Sequence, residues 1–287
     1  MIWRARSWQR NSLLMLCGAL AFAAIAVVGI GQSLIRPANR LVGAPPAQLH
    51  VQSILLRSTA GETVSAWFAH GIAGQGVVLL LHGVRADRRA MVSRAKLLQD
   101  AGFGVMLMDL QAHGESGGAH ISFGWHEADG VRAALNYLQQ NLPHERIGVI
   151  GVSLGAASLV LAKPVPAPSA VVLESMYPTI TEAVENRLAM RLGCLGNMIA
   201  PALLWQLPLR LGISADQLRP IDAVASLGAP VLIAGGTLDL HTPRVTKRCA
   251  CSMPPASPKS FGCWRALPTW TCKPTTPKAM QPRYCLF

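Results

Sequence analysis

Charged residues are scarce in this chain. They make up 14% of its 287 residues against 51% apolar ones, a balance that allows a sizeable core and points to a membrane segment or a deeply buried sheet. The length suits one α/β domain with insertions and is short for two. Acids are scarcer still, 14 against 26 Lys and Arg, giving a formal charge of +12. Such an excess would suggest nucleic acid, but its distribution argues otherwise. After residue 244 come Lys247, Arg248, Lys259, Arg265, Lys273, Lys278 and Arg283, with no acid among them, and Arg4, Arg6 and Arg10 supply part of the rest. The basic excess thus belongs to the two ends. No basic stretch is interleaved with aromatics, which excludes nucleic acid as a partner. Cysteine is nearly absent before the tail: only Cys17 and Cys194 precede Cys249, Cys251, Cys263, Cys272 and Cys285. Their number is odd, and Cys249 and Cys251 have no histidine after them, so no metal site is expected.

Charge is missing altogether from residues 13 to 35. Leu13 to Gly31 is nearly all apolar, and the whole stretch is long enough to cross a ~30 Å hydrocarbon core as a helix. Three arginines precede it and Arg36 and Arg40 follow, an asymmetry that favours a cytoplasmic N-terminus and a main domain outside. Residues 1–35 are read as a membrane anchor. A cleaved signal peptide is the competing reading; against it, the run exceeds the usual apolar core of a signal and no A-x-A site follows.

Residues 36–50, with Pro37, Pro45 and Pro46, read as a linker. Val51 to Arg57 and Thr63 to Ala69 suit an antiparallel hairpin at a sheet edge. Gly76 to His82 is a continuous apolar run of the kind buried on both faces of a parallel sheet. Strand and helix then alternate: helix over 88–100, strand over 104–110, helix over 125–140, strand over 146–152, helix over 154–162, strand over 170–174. This alternation predicts an α/β domain over 51–244, a mainly parallel central sheet flanked by helices. Residues 177–219 offer helices and no strand and read as a helical lid; Pro230 to Gly235 resumes the sheet.

Chemistry concentrates at strand ends. Gly151-Val152-Ser153-Leu154-Gly155 follows a buried strand and opens a helix, the context of a nucleophile elbow, where a tight turn with small neighbours exposes a serine at a helix N-terminus. Leu80-Leu81-His82-Gly83-Val84 closes the preceding central strand. With these two segments the chain resembles the α/β-hydrolase superfamily, in particular bacterial hydrolases related to serine aminopeptidases and small esterases. The resemblance covers residues 50–244. It implies Ser153 as nucleophile and the Val84 and Leu154 N–H groups as oxyanion hole, with His82 a structural turn residue. Asp109-Leu110-Gln111-Ala112-His113-Gly114-Glu115-Ser116 resembles the family's D-x-R-G-H-G-x-S loop, with Gln111 replacing Arg and Ala112 replacing Gly; Asp109 and His113 are then structural. Gly235-Gly236-Thr237-Leu238-Asp239 resembles the loop bearing the catalytic acid, which makes Asp239 that acid and Glu174 its alternative. The implied activity is hydrolysis of an ester, thioester or amide of a small-molecule or peptide acyl substrate, with no metal or organic cofactor.

The family pattern then fails. Its catalytic histidine belongs roughly thirty residues after the acid, and no histidine follows His241. His241 itself lies too close to Asp239 to approach the serine from a separate loop. Residues 245–287 read as an irregular tail: a disordered segment, a cysteine-stapled appendage, or the product of a shifted reading frame. The genetic code favours the third. In the shifted frame, Trp270-Thr271 must encode Asp, and Leu267 to Cys272 permits Ala-His-Val-Asp-Leu, which resembles the family's histidine loop. Cys263-Trp264 and Tyr284-Cys285 must each give Leu, and Met280-Gln281 must give Ala. A frame change between about residues 243 and 248 would explain the loss of the base, and leaves a non-catalytic, membrane-tethered remnant as the alternative function.

Overall fold

The computed structural model describes residues 2–235, with side chains from residue 11 onward. Helix α1 (Ile2–Ile35) leads into β1 (Ala38–Asn39), β2 (Gln52–Arg57), β3 (Thr63–Ala69) and β4 (Val77–Leu81). Then follow α2 (Val92–Asp100), β5 (Gly104–Met108), β6 (His113–Gly114), α3 (Glu127–Asn141), β7 (Ile147–Val152), α4 (Leu154–Ala162) and β8 (Ala170–Glu174). Next come α5 (Ile180–Leu192), α6 (Cys194–Leu204), α7 (Gln206–Leu211), α8 (Pro220–Ala223) and β9 (Val231–Ala234).

Seven strands form one sheet in the order β2-β3-β5-β4-β7-β8-β9. The β2–β3 and β3–β5 pairs are antiparallel and the other four are parallel. The expected edge hairpin is therefore present, as is the mainly parallel sheet. Strand β4 reads Val-Val-Leu-Leu-Leu and is buried at every position, as a strand covered on both faces should be. Helices α3 and α4 pack on one face. Helix α3 turns Ala128, Val131, Ala134, Leu135 and Leu138 inward, the spacing of one helical stripe, and carries Glu127 and Asp129 in its first turn, where the helix dipole favours acids. Helix α2 lies on the opposite face, with Met91 and Ala95 buried against Leu80, Val105, Leu107 and Trp67.

One departure from the sequence expectation concerns the flanks. Residues 36–50, read as a linker, lie against the domain. Ala38–Asn39 pairs with His113–Gly114, and Val42 and Leu49 are buried in the same cluster as Trp67. Residues 177–219 form helices without a strand, as expected; α5 starts at Thr179, whose side chain accepts from the Glu182 N–H.

Strand β4 is the point where the connections diverge: the chain leaves it through α2 to β5 on one side and reaches β7 on the other side later. In open α/β sheets ligands bind at such a switch point, beyond the carboxyl ends of the strands. Register aligns Leu81 of β4 with Gly151 of β7, so the turns following these two strands emerge side by side.

Candidate active site

Ser153 sits in the turn between β7 and α4 with φ 50° and ψ −107°. A non-glycine residue with positive φ in this region costs about 1–3 kcal/mol and is kept only where its surroundings enforce it. The enforcement is visible on both sides. The Ser153 N–H donates to the Glu174 carbonyl of β8 (2.8 Å), and the Ser153 carbonyl accepts from Ala157 of α4 (3.0 Å). A Cβ at Gly151 would lie 2.7 Å from the Ala156 backbone, and one at Gly155 would lie 2.7 Å from the Leu81 and His82 carbonyls. Any larger residue at either place would push α4 off the sheet and undo the turn. Ser153 remains partly accessible while Leu154 is buried.

The His82-Gly83-Val84 turn lies against this elbow, since a Cβ on Gly83 would fall 3.8 Å from Ser153 Cβ. Among the described residues, neither the Val84 nor the Leu154 N–H donates to a protein acceptor. His82 fixes the turn and is fully buried. Its Nε2 accepts from the Leu110 N–H (3.1 Å), which leaves Nδ1 to donate to the Gly83 carbonyl (2.8 Å). Burial drives its pKa down from 6.5 to about 3, with the Gly83 contact opposing in part. A neutral, doubly committed imidazole is a structural part and not a base. His113 is buried beside it, with Nδ1 against the Gln111 carbonyl (2.8 Å), and desolvation also lowers its pKa.

Asp109 anchors the neighbouring loop. It is completely buried and accepts from the Arg88 N–H (2.7 Å), the Glu115 N–H (2.9 Å) and the Arg88 guanidinium. Arg88 also pairs with Glu115 and stacks over Trp67, its guanidinium carbon 4.7 Å from the ring centroid. The sequence reading missed Arg88. The available signal was Gln111: with no arginine at that place in the loop, buried Asp109 needs a cation from elsewhere.

Glu174, the alternative acid, is paired with Arg94 of α2. Its side chain is thus engaged on the α2 face, while its carbonyl holds the elbow. Strand β9 runs beside β8 with Glu174 opposite Ala234, so the chain leaves the sheet at the same rim. Asp239, His241 and the tail fall outside the described residues. Two concavities occur elsewhere. One lies between the end of α1 and the helical insertion; the other holds His50 and His70 near Gly102 and Phe103, at the opposite end of the strands from Ser153. Among the described residues, no cluster of His, Cys, Asp and Glu could hold a metal ion.

A doubly wound sheet with a strained serine in a glycine-walled elbow at its switch point defines the α/β-hydrolase class. A model of the alpha/beta hydrolase family matches residues 78–284, and the chain belongs to that family. The uncharacterised protein Rv2307c of Mycobacterium tuberculosis is 30% identical over 215 residues, covering 73% of this chain and 69% of that protein. YqkD of Bacillus subtilis is 22% identical over 200 residues, covering 68% and 66%. Among solved structures, the Pyrococcus furiosus esterase Pf2001 superposes with a TM-score of 0.58 at 21% identity, over 73% of this chain and 80% of that one. This last likeness is one of fold.

Proposed function

We propose that the chain has the build of a membrane-anchored serine hydrolase acting on an ester, thioester or amide carbonyl. The observation that carries the reading is the backbone of Ser153, left-handed and held between two glycines that have no room for a side chain. Ser153 Oγ attacks the carbonyl carbon, and the oxyanion rests on the Val84 and Leu154 N–H groups. The acyl-enzyme is then hydrolysed by water. Asp239 is the acid that would orient the base. The base itself is the weak point, since His82 and His113 are committed to structure and no histidine follows His241. A serine hydrolase deprived of its base keeps only ~10³–10⁴-fold catalysis over water. That absence supports the second reading, a tethered remnant that retains the cleft without the turnover. Helix α1 supports the anchor: Asn11–Ile35 is long and apolar enough to cross a membrane, a property shared by anchors and signal sequences, and the basic N-terminal flank favours an extracytoplasmic domain.

Labelling the full chain with a fluorophosphonate tests the nucleophile. Labelling that disappears in Ser153→Ala establishes it. No labelling of folded protein favours the remnant. Resequencing the coding DNA across residues 240–287 tests the tail: a single inserted or deleted base that restores Ala-His-Val-Asp-Leu returns the missing base, and an unchanged sequence with tail peptides found by mass spectrometry ends the shifted-frame reading.

A further inference from the structure

Helices α6 and α7 present an apolar surface on both sides. Leu203 and Leu207 face the domain and are buried. On the outside, Leu195, Met198, Trp205 and Leu209 are 60%, 77%, 70% and 70% exposed. Their spacing of three, seven and four residues, with exposed Ala202 between, keeps them on one helical stripe. No charged residue occurs between Arg191 and Arg210. A helical segment apolar on all sides is at home against lipid or in a core and not in water.

The same segment is fastened to α1. The Gln206 side chain donates to the Val27 carbonyl (3.2 Å), and Arg210 donates to the Val28 carbonyl (2.9 Å) and to Gln32 Oε1. The part of α1 from Asn11 to Val28 rises about 26 Å as a helix, close to the ~30 Å thickness of a hydrocarbon core. Side chains along that part are mostly exposed, from Leu13, Leu16 and Phe22 to Ile25 and Val28. Arg210 therefore meets α1 at the level where an anchor would leave the bilayer, as expected for an arginine that covers apolar surface with its stem and keeps its charge at the boundary. Beyond that level α1 turns protein-facing: Gly31 and Ile35 are buried, and Arg85, next to Val84, donates to the Ser33 and Leu34 carbonyls.

We propose that the outer stripe of α6 and α7 docks on the surface of the bilayer that α1 enters, holding the Ser153 rim of the sheet beside the lipid. The inference rests on the reading of α1 as a membrane span. The stripe does not itself belong to a second span. Residues Cys194–Leu211 and Ala215–Leu227 are apolar enough together, but they meet at 86°, and Leu218, Val224 and Leu227 are buried in the globular core. What remains is a short helical element with Trp205 and Leu209 outward and Arg210 in its last turn, an apolar face edged by a cation that can keep its charge at the boundary. Continuity with α1 selects lipid as the occupant.

Quenching by spin-labelled lipid tests this on the full chain in vesicles of phosphatidylcholine and phosphatidylglycerol. A dansyl amino acid replaces Phe22, Met198 or exposed Gln140 at the far end of α3, one at a time. Doxyl groups shallow or deep on the acyl chain should quench positions 22 and 198 and leave 140 unaffected. Position 198 should be quenched at least twofold more by the shallow label than by the deep one. Quenching at 22 with none at 198 overturns the docking and leaves the span intact. Quenching at neither overturns the span, and the docking with it. Protection of 198 from both lipid and aqueous iodide means that protein covers the stripe, which also overturns the proposal. A second probe at Trp205 must agree with 198.

Discussion

The two halves of the central sheet are finished differently. Around β4 and β5 every residue is buried, with α3 on one face and α2, Val42 and Leu49 on the other. In β7 and β8 burial alternates instead. Ile147, Val149, Val171 and Leu173 are buried under α4, while Ile150, Val152 and Val172 on the other face stay partly open. Leu232 of β9 continues that open row. Ile150 and Val152 pack only at the margin of the α2 cluster. The Ser153 turn belongs to the half-covered side and the His82-Gly83-Val84 turn to the finished side, so the candidate site straddles the seam. The Ser153 turn takes its rigidity from both: its N–H is held by the Glu174 carbonyl of β8, and Gly155 packs on the Leu81 and His82 carbonyls at the end of β4.

The largest expected difference lies in the ion pairs. Arg88→Met keeps the apolar stem over Trp67 and leaves the Asp109 carboxylate buried without its cation, which should cost about 3–5 kcal/mol. Arg94→Met breaks the pair with Glu174, whose side chains are 40% and 27% exposed, and should cost no more than about 1 kcal/mol. Urea unfolding of the full chain in detergent micelles measures both, and equal losses would contradict the contrast. Apolar truncations sharpen it. Leu80→Ala, in the finished half, should cost about 2–5 kcal/mol. Val172→Ala, on the open row, should cost below about 1 kcal/mol by its smaller lost burial. A Val172→Ala loss as large as that of Leu80→Ala would mean that the open row is covered in solution.

Much of this was legible in the sequence for local reasons. Helix α4 begins and ends where Ser153 and the end of its apolar run place it, and β8 matches residues 170–174. The G-x-S-x-G spacing made the tight strand-to-helix turn at Ser153 readable, because the need for small residues on either side is a local pattern, although the contacts that hold the turn come from Glu174, Leu81 and His82. Residues 36–50 were misread because their prolines report turns, whereas the burial of Val42 and Leu49 depends on Trp67 and Val105, far along the chain. Arg88 was missed for the same reason: charge predicts exposure unless the distant partner Asp109 is known. The fastening of α1 to Gln206 and Arg210 spans most of the chain and has no local pattern at all.

The smallest expected effect is a pH slope that belongs to the finished half. The unfolded chain protonates His82 near 6.5, while the native chain holds it neutral down to about 3 because the ring is buried and Nε2 accepts from Leu110. Between those values the unfolded state binds more protons, so stability is full above pH 6.5 and falls as the pH drops through that window. His113, also lowered by burial, adds in the same direction. Glu115, held down to about 2 by the Gly43 N–H and Arg88, contributes only below its ordinary value of 4.5. Asp109, raised by burial, acts in the opposite direction, so the His82 contribution is read from urea midpoints of parent and variant compared at pH 7.5 and pH 5.0. His82→Asn should unfold more easily than the parent at pH 7.5 and show a shallower loss on going to pH 5.0. An unchanged loss would mean that His82 is not held neutral, and the turn carrying the Val84 N–H would then lack the fixed imidazole that the covered half provides.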